Sequence, residues 1–162
     1  MSTSPIAPAQ PVTRYVEDVH VGDELPAVAF PITVYRLVME AGANRDFNSI
    51  HHNTDSARAT SAPDMYANTL FLMGMWERCL RDWAGPAARI LSLKGFRMGR
   101  FNLVGTTTTV TGTVSAIDVA SGEVTVTMAC SDAGGVTVGP GHMVVRLPQH
   151  PAQRPLPGAG AQ

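Results

Sequence analysis

ANTLFLMGMWERCLRDW, residues 67–83, carries a helical pattern with one polar face. Its charged residues Glu77, Arg78, Arg81 and Asp82 fall at i, i+1, i+4 and i+5 and so share that face. Leu70, Phe71, Leu72, Met73, Met75, Trp76, Cys79, Leu80 and Trp83 cover most of the rest of the circumference. A helix this apolar is expected to be buried on more than one side. Gly74 costs helix propensity in the middle of the run and is expected to permit close backbone packing. Gly85-Pro86 ends the helix.

Downstream of this helix the apolar period changes to two. Ile90 to Met98, Thr106 to Val119, Glu123 to Cys130 and Val136 to Arg146 all read as strands. Val124, Val126, Met128 and Cys130 share one face, Thr125 and Thr127 the other, and Ser121-Gly122 and Gly134-Gly135 sit at hairpin positions. Upstream, Val28 to Val34 places apolar residues at even positions and suits a first strand, with Pro31 at an edge or bulge. Tyr35 to Ala43 reads as a short helix, and His52 to Ala59 adds a helical turn or two. The order is strand, short helical segments, one long apolar helix, then a run of antiparallel strands. That is an α+β domain in which one sheet curls around one helix. The uncovered face or edge of such a sheet calls for a dimer or higher assembly.

The chain has 162 residues, enough for one domain with a proper core. Hydrophobic residues make up 44% and charged residues 15%, a globular composition. Twelve Lys and Arg against thirteen Asp and Glu leave a formal charge of −1, so neither a nucleic-acid partner nor an anionic membrane surface is expected. No apolar run approaches the roughly 18–20 residues of a membrane span. The stretch MSTSPIAPAQPVT lacks the basic start and apolar core of a secretory signal, and Cys79 and Cys130 stand apart, which fits a reducing cytoplasm. Residues 1–13, rich in Pro, Ala, Ser and Thr, and residues 148–162, with repeated Pro and Gly, read as disordered tails around a folded body of residues 14–147.

Between the short helices lies Asp46-Phe47-Asn48-Ser49-Ile50-His51. A carboxylate and an imidazole five residues apart, with an amide between them, suit acid–base work on one small molecule such as water. Asp46 and Asn48 also fit turn-forming roles. His51-His52 with Asp46 and Asp55 does not suggest a metal, because adjacent His side chains diverge and no HxH or HxxxH pair exists. No P-loop or Rossmann fingerprint is present, so no cofactor is expected.

This hexapeptide resembles the hydratase-2 signature of MaoC-like proteins, a small residue–Gly–Asp–x–Asn–Pro–aliphatic–His run. The resemblance extends to Glu17–Leu25, to the turn at Val104-Gly105-Thr106 and to the strand Thr109–Val114. Met65–Thr69 and Trp83-Ala84-Gly85-Pro86 resemble the MaoC-like subunits of actinobacterial acyl-CoA and steroid side-chain hydratases. The family has the hotdog fold, a curved antiparallel sheet wrapped around a central helix, which agrees with the element order. Arg45 stands where the family usually has Gly, Ser49 where it has Pro, and Asn68-Thr69 where generic members have His-Gly.

The resemblance implies an enzyme that adds or removes water at the double bond of a trans-2-enoyl thioester, giving or consuming the (R)-3-hydroxyacyl form. It assigns Asp46 and His51 as the acid–base pair, with Asn48 in support. The backbone amide of Thr69, at the start of the long helix, becomes the oxyanion donor. Asn68 and Glu77 are candidate pocket residues, although Glu77 also fits an i,i+4 pair with Arg81. Arg45 reads as a solvated charge or as a contact to an acyl-CoA phosphate. The acyl carrier is coenzyme A or an acyl carrier protein, and the chain pairs with itself or with another hotdog subunit. Two rival readings remain at this point: a hotdog thioesterase, and a non-catalytic subunit of a hetero-oligomeric hydratase.

Overall fold

The computed structural model of the protein describes residues 12–151. Its elements are β1 (Val28–Pro31), α1 (Val34–Asn44), α2 (Thr54–Ala59), α3 (Thr69–Ala84), β2 (Arg89–Lys94), β3 (Thr107–Asp118), β4 (Glu123–Asp132) and β5 (Gly135–Arg146), with 3-10 turns at Val16–Asp18 and Ser49–His51. The five strands form one antiparallel sheet in the order β1-β3-β4-β5-β2. Register shifts at Val114/Ala116, Met128/Cys130 and Ile90/Ser92 bend the long strands, and the sheet curls into a half-barrel against α3. Among the described residues no helix is long and apolar enough to cross a membrane.

The period-two reading holds along the sheet. Val124, Val126, Met128 and Cys130 are fully buried, and Val110, Val114, Val138, Met143 and Val145 join them from the neighbouring strands. From α3, Leu72, Met75, Trp76, Cys79, Leu80 and Trp83 complete this core. The Trp76 indole N–H donates to the Cys130 sulfur at 3.1 Å, so its one polar group is satisfied inside the core.

Two boundaries differ from the sequence reading by more than two residues. The first strand stops at Pro31, because the Thr33 hydroxyl accepts from the Arg36 N–H at 3.2 Å and caps α1. Val34, expected as the last strand residue, therefore begins the helix. The strand expected to reach Met98 ends at Lys94, where Gly95 turns into the left-handed region at φ +68°, and Met98 keeps one isolated bridge to Val138. The tails expected at 1–13 and 148–162 lie mostly outside the described residues. Within them, the Pro148 carbonyl accepts from the Val16 N–H at 3.0 Å and His150 stacks on Tyr15.

The long helix is buried on one broad face, not on several. Leu70 and Gly74 are exposed, Phe71 and Met73 half-buried, and with α1 this side of the helix walls a cavity of about 460 Å³ lined by Phe30, Met39, Glu40, Leu70, Phe71 and Gly74. Gly74 does not serve close packing either, since a Cβ added there meets no atom within 4 Å. The helix carries a glycine's entropic cost with no local contact to require it. Gly74→Ala is expected to stabilise the protein by about 1 kcal/mol, read from the urea midpoint.

Candidate active site

Asp46 owes its place to the way α1 ends. Arg45 adopts the left-handed conformation, φ 56° and ψ 30°. The Asp46 N–H donates to the Ala41 carbonyl at 3.0 Å and the Arg45 N–H to the Gly42 carbonyl at 3.3 Å. These are the two bonds of a Schellman ending, with an arginine at the position that favours glycine. These two backbone bonds set Asp46 at the first residue beyond the turn.

His51 closes the 3-10 turn that follows. The turn is capped by Asn48, whose Oδ1 accepts from the Ile50 N–H at 3.4 Å, and the Asn48 N–H approaches Asp46 Oδ1 at 3.4 Å. The side chain of Asn48 thus shapes the turn, and its backbone steadies the carboxylate. His51 is buried, with Nδ1 against the Tyr66 carbonyl oxygen at 2.8 Å. A carbonyl only accepts, so Nδ1 carries the hydrogen of the neutral ring. Nε2 is left facing Asp46 Oδ2 at 3.4 Å. A neutral Nε2 and an ionised carboxylate are both acceptors, and a group with hydrogens to give would bridge them from the pocket side.

The start of α3 completes the arrangement. Asn68 caps the helix, its Oδ1 accepting from the Phe71 N–H at 2.8 Å, while its Nδ2 donates to Asp46 Oδ2, also at 2.8 Å. One side chain thus ties the carboxylate to the helix. Thr69, the first helical residue, has a backbone N–H with no acceptor inside the helix. The segment bearing Tyr66 is stitched to the sheet side by Val104 N–H to the Met65 carbonyl at 2.8 Å and Ala67 N–H to the Asn102 carbonyl at 3.0 Å. Asp46, His51, Tyr66, Asn68, Thr69 and Leu70 line a pocket of about 310 Å³, and Leu70 is shared with the larger cavity.

Of the residues singled out in the sequence, Asp46, His51, Asn68 and Thr69 line this pocket, and Asn48 sits in the turn beside it. Glu77 does not join them. It lies on the outer face of α3, paired with Arg81 Nε at 2.7 Å, because eight residues along a helix from Thr69 lead away from the site.

Two features escaped the sequence reading, one in the site and one in the neighbouring cavity. The Tyr66 carbonyl belongs to the backbone and has no signature in residue identity. Glu40 did have one: it shares a helix face with Leu37 and Ala41, which are buried, and it is itself only 5% exposed. Its Oε2 accepts from Asn44 Nδ2 at 2.9 Å, and its Oε1 has no partner among the described residues. Burial pushes the Glu40 carboxyl above the ordinary range, with a smaller push from Asp46. The Asn44 amide, the Asn68 N–H and His51 pull the other way.

No family model matches the chain. A stretch of 82 residues, 51% of this chain, is 39% identical to the 3-oxo-4,17-pregnadiene-20-carboxyl-CoA hydratase beta subunit of Mycobacterium tuberculosis, and the match spans 63% of that relative's length. The crystal structure of the ChsH1-ChsH2 complex from Mycobacterium tuberculosis is similar with a TM-score of 0.74 and 32% identity, over 79% of this chain and 98% of that one. A MaoC-like dehydratase has a TM-score of 0.75 and 25% identity, over 85% of this chain and 43% of that one. The curled sheet around α3 is the hotdog fold, and the chain belongs to the MaoC-like family built on it.

Two variants test the local physics. Arg45→Gly removes a side chain from a left-handed position and is expected to raise stability by about 1 kcal/mol in chemical denaturation. Glu40→Gln tests the buried carboxyl. Folding raises its proton affinity, so the folded state holds a proton the unfolded chain has released, and wild-type stability falls as pH rises above the ordinary carboxylate range. Glutamine does not titrate there. The melting temperature of Glu40→Gln is therefore expected to gain on that of wild type between pH 4 and pH 7, followed by calorimetry at each pH.

Proposed function

We propose that the chain is a catalytic hotdog subunit that adds water to, or removes it from, a trans-2-enoyl thioester. The observation that carries this reading is the 3.4 Å approach of His51 Nε2 to Asp46 Oδ2, with Nδ1 tied to a carbonyl so that Nε2 is free to accept. A water bridging the two acceptors from the pocket side would give one hydrogen to each and turn its oxygen lone pair toward the pocket. In hydration the oxygen bonds to Cβ and one O–H bond breaks, its proton passing to the pair. The double-bond electrons move toward the thioester carbonyl. Cα then takes a proton from the pair and the pair returns to its starting state. Dehydration is the reverse.

The thioester oxygen gains charge in this sequence. The Thr69 N–H, which has no acceptor among the described residues, is the donor that reading assigns to it. The residue there need only present its backbone, so a threonine serves where the wider family has glycine. The acyl group would extend past Leu70 into the larger apolar cavity, with coenzyme A or an acyl carrier protein as the carrier.

A second subunit belongs to the proposal. Tyr35, Val38, Met39, Phe47 and Leu70 are each more than half exposed, Met39 and Leu70 in the wall of the larger cavity, and the similar ChsH1-ChsH2 structure is a complex. Another hotdog chain, identical or different, is the cover that fits this surface.

Crotonyl-CoA and longer or polycyclic enoyl-CoAs, followed by loss of enoyl absorbance, test the reading. Asp46→Asn and His51→Ala are each expected to lower kcat/KM by about 10²–10⁴-fold. Full activity in both would overturn the assignment. Activity that appears only with an added hotdog chain identifies a heteromer, and thiol release without hydration identifies a thioesterase.

A further inference from the structure

The larger cavity has a buried carboxyl in an apolar wall. Phe30, Met39, Leu70 and Phe71 give it hydrocarbon sides. Of its polar residues, Arg36 is exposed and Asn44 half-buried, while Glu40 is only 5% exposed. A leucine or methionine would pack this position of α1 without burying a charge. Glu40 Oε2 accepts from Asn44 Nδ2 at 2.9 Å, and Oε1 has no partner among the described residues. An unpaired polar atom inside a protein lowers stability, and each one calls for an explanation. The cation in the wall is engaged elsewhere. Arg36 stands at the i,i+4 spacing from Glu40 that suits an ion pair, yet its Nη1 donates to the Pro31 carbonyl at 3.1 Å.

We propose that Glu40 is a specificity residue that binds a hydroxyl group on the acyl chain entering this cavity, so that the cavity selects hydroxylated acyl groups over plain alkyl ones. A hydroxyl is the group the carboxyl suits. It donates to an ionised carboxylate and accepts from a protonated one, and so completes Glu40 in either state. An ammonium serves only the first state and a carbonyl only the second. Oε1 is closed to solvent, but the terminal torsion of a glutamate is broad, which lets the carboxyl turn to meet a group in the cavity. Asn44 keeps hold of the carboxyl from the next turn of α1. Leu70 belongs both to this cavity and to the pocket of Asp46 and His51, so the hydroxyl sits on the acyl chain beyond the reacting carbons. The apolar remainder of the wall would take the hydrocarbon on either side of it.

The inference rests on the hydratase reading for its acyl thioester, but its test needs no turnover. Saturated pantetheine thioesters carry the arm common to coenzyme A and acyl carrier proteins and have no double bond to hydrate. Pairs of equal chain length, one plain and one hydroxylated near its far end, are titrated by calorimetry into wild type, Glu40→Leu and Glu40→Gln. Wild type is expected to bind the hydroxylated member more tightly at the chain length that reaches Glu40. Glu40→Leu is expected to shift the ratio of the two dissociation constants by about ten-fold toward the plain member. Glu40→Gln keeps a donor and an acceptor and is expected to retain most of the preference. Glu40→Ala carries the same expectation as Glu40→Leu and serves if the leucine variant folds poorly. A ratio unchanged by the loss of the carboxyl would overturn the proposal, as would a wild type that binds neither thioester. A Glu40→Leu variant that alters only the oligomeric state, read by sedimentation, would overturn it too and make the second subunit the partner of Oε1. Hydration of crotonyl-CoA is scored separately. Activity with an unchanged ratio keeps the hydratase reading and removes this one, and a shifted ratio without activity does the reverse.

Discussion

The grip of Asn68 on two partners at once is the interaction on which the rest of the site depends. Its oxygen supplies the cap that α3 needs at its first turn, and its nitrogen holds the Asp46 carboxylate. The helix that forms the core and the loop that carries the acid are thus fixed by the same amide. A helix start shifted by one residue would release the carboxylate, and a carboxylate turned away would leave that amide nitrogen without this acceptor. The geometry of the pocket is for this reason bound up with the packing of Leu72, Met75 and Trp76 against the sheet, since those contacts set where α3 begins.

The other half of the pair is held from the sheet. Tyr66 presents its carbonyl to His51 because its neighbours Met65 and Ala67 exchange backbone bonds with Val104 and Asn102. Asn102 is in turn seated by the hydroxyls of Thr108 and Thr137, each 2.8 Å from its side-chain oxygen, on β3 and β5. The Asp46 carboxylate is positioned by the ends of helices and the His51 ring by the sheet. Their approach to 3.4 Å reports that helix layer and sheet are in register with each other.

Much of this was legible in the residues, for reasons that also explain what was not. Period two over Glu123–Cys130 and the polar face of Glu77, Arg78, Arg81 and Asp82 are set by strand and helix geometry, and both survive in the structure. That Asp46 and His51 face one pocket was legible, because a carboxylate and an imidazole five residues apart in one loop are close enough to converge. The uncovered side of α3 was not, because an apolar residue lining a cavity reads the same as one inside a core. Leu70 and Met73 carry no mark to separate the two. Gly74 was misread for a similar reason, as sequence shows a missing side chain without showing whether anything fills the space. The hold on His51 by a main-chain oxygen lies beyond any pattern of side chains.

Chain direction adds a last consequence. α1 ends next to Asp46, and α3 begins next to Thr69. A helix is negative at its end and positive at its start, so the pocket lies in a gap between opposite poles. Such a gap has a permanent electric field before any ligand enters, directed from the amide end toward the carboxylate end. The field arises from peptide units and is therefore indifferent to side-chain identity. An arginine can stand at the turn after α1 and a threonine at the head of α3 without reversing the polarity of the cleft.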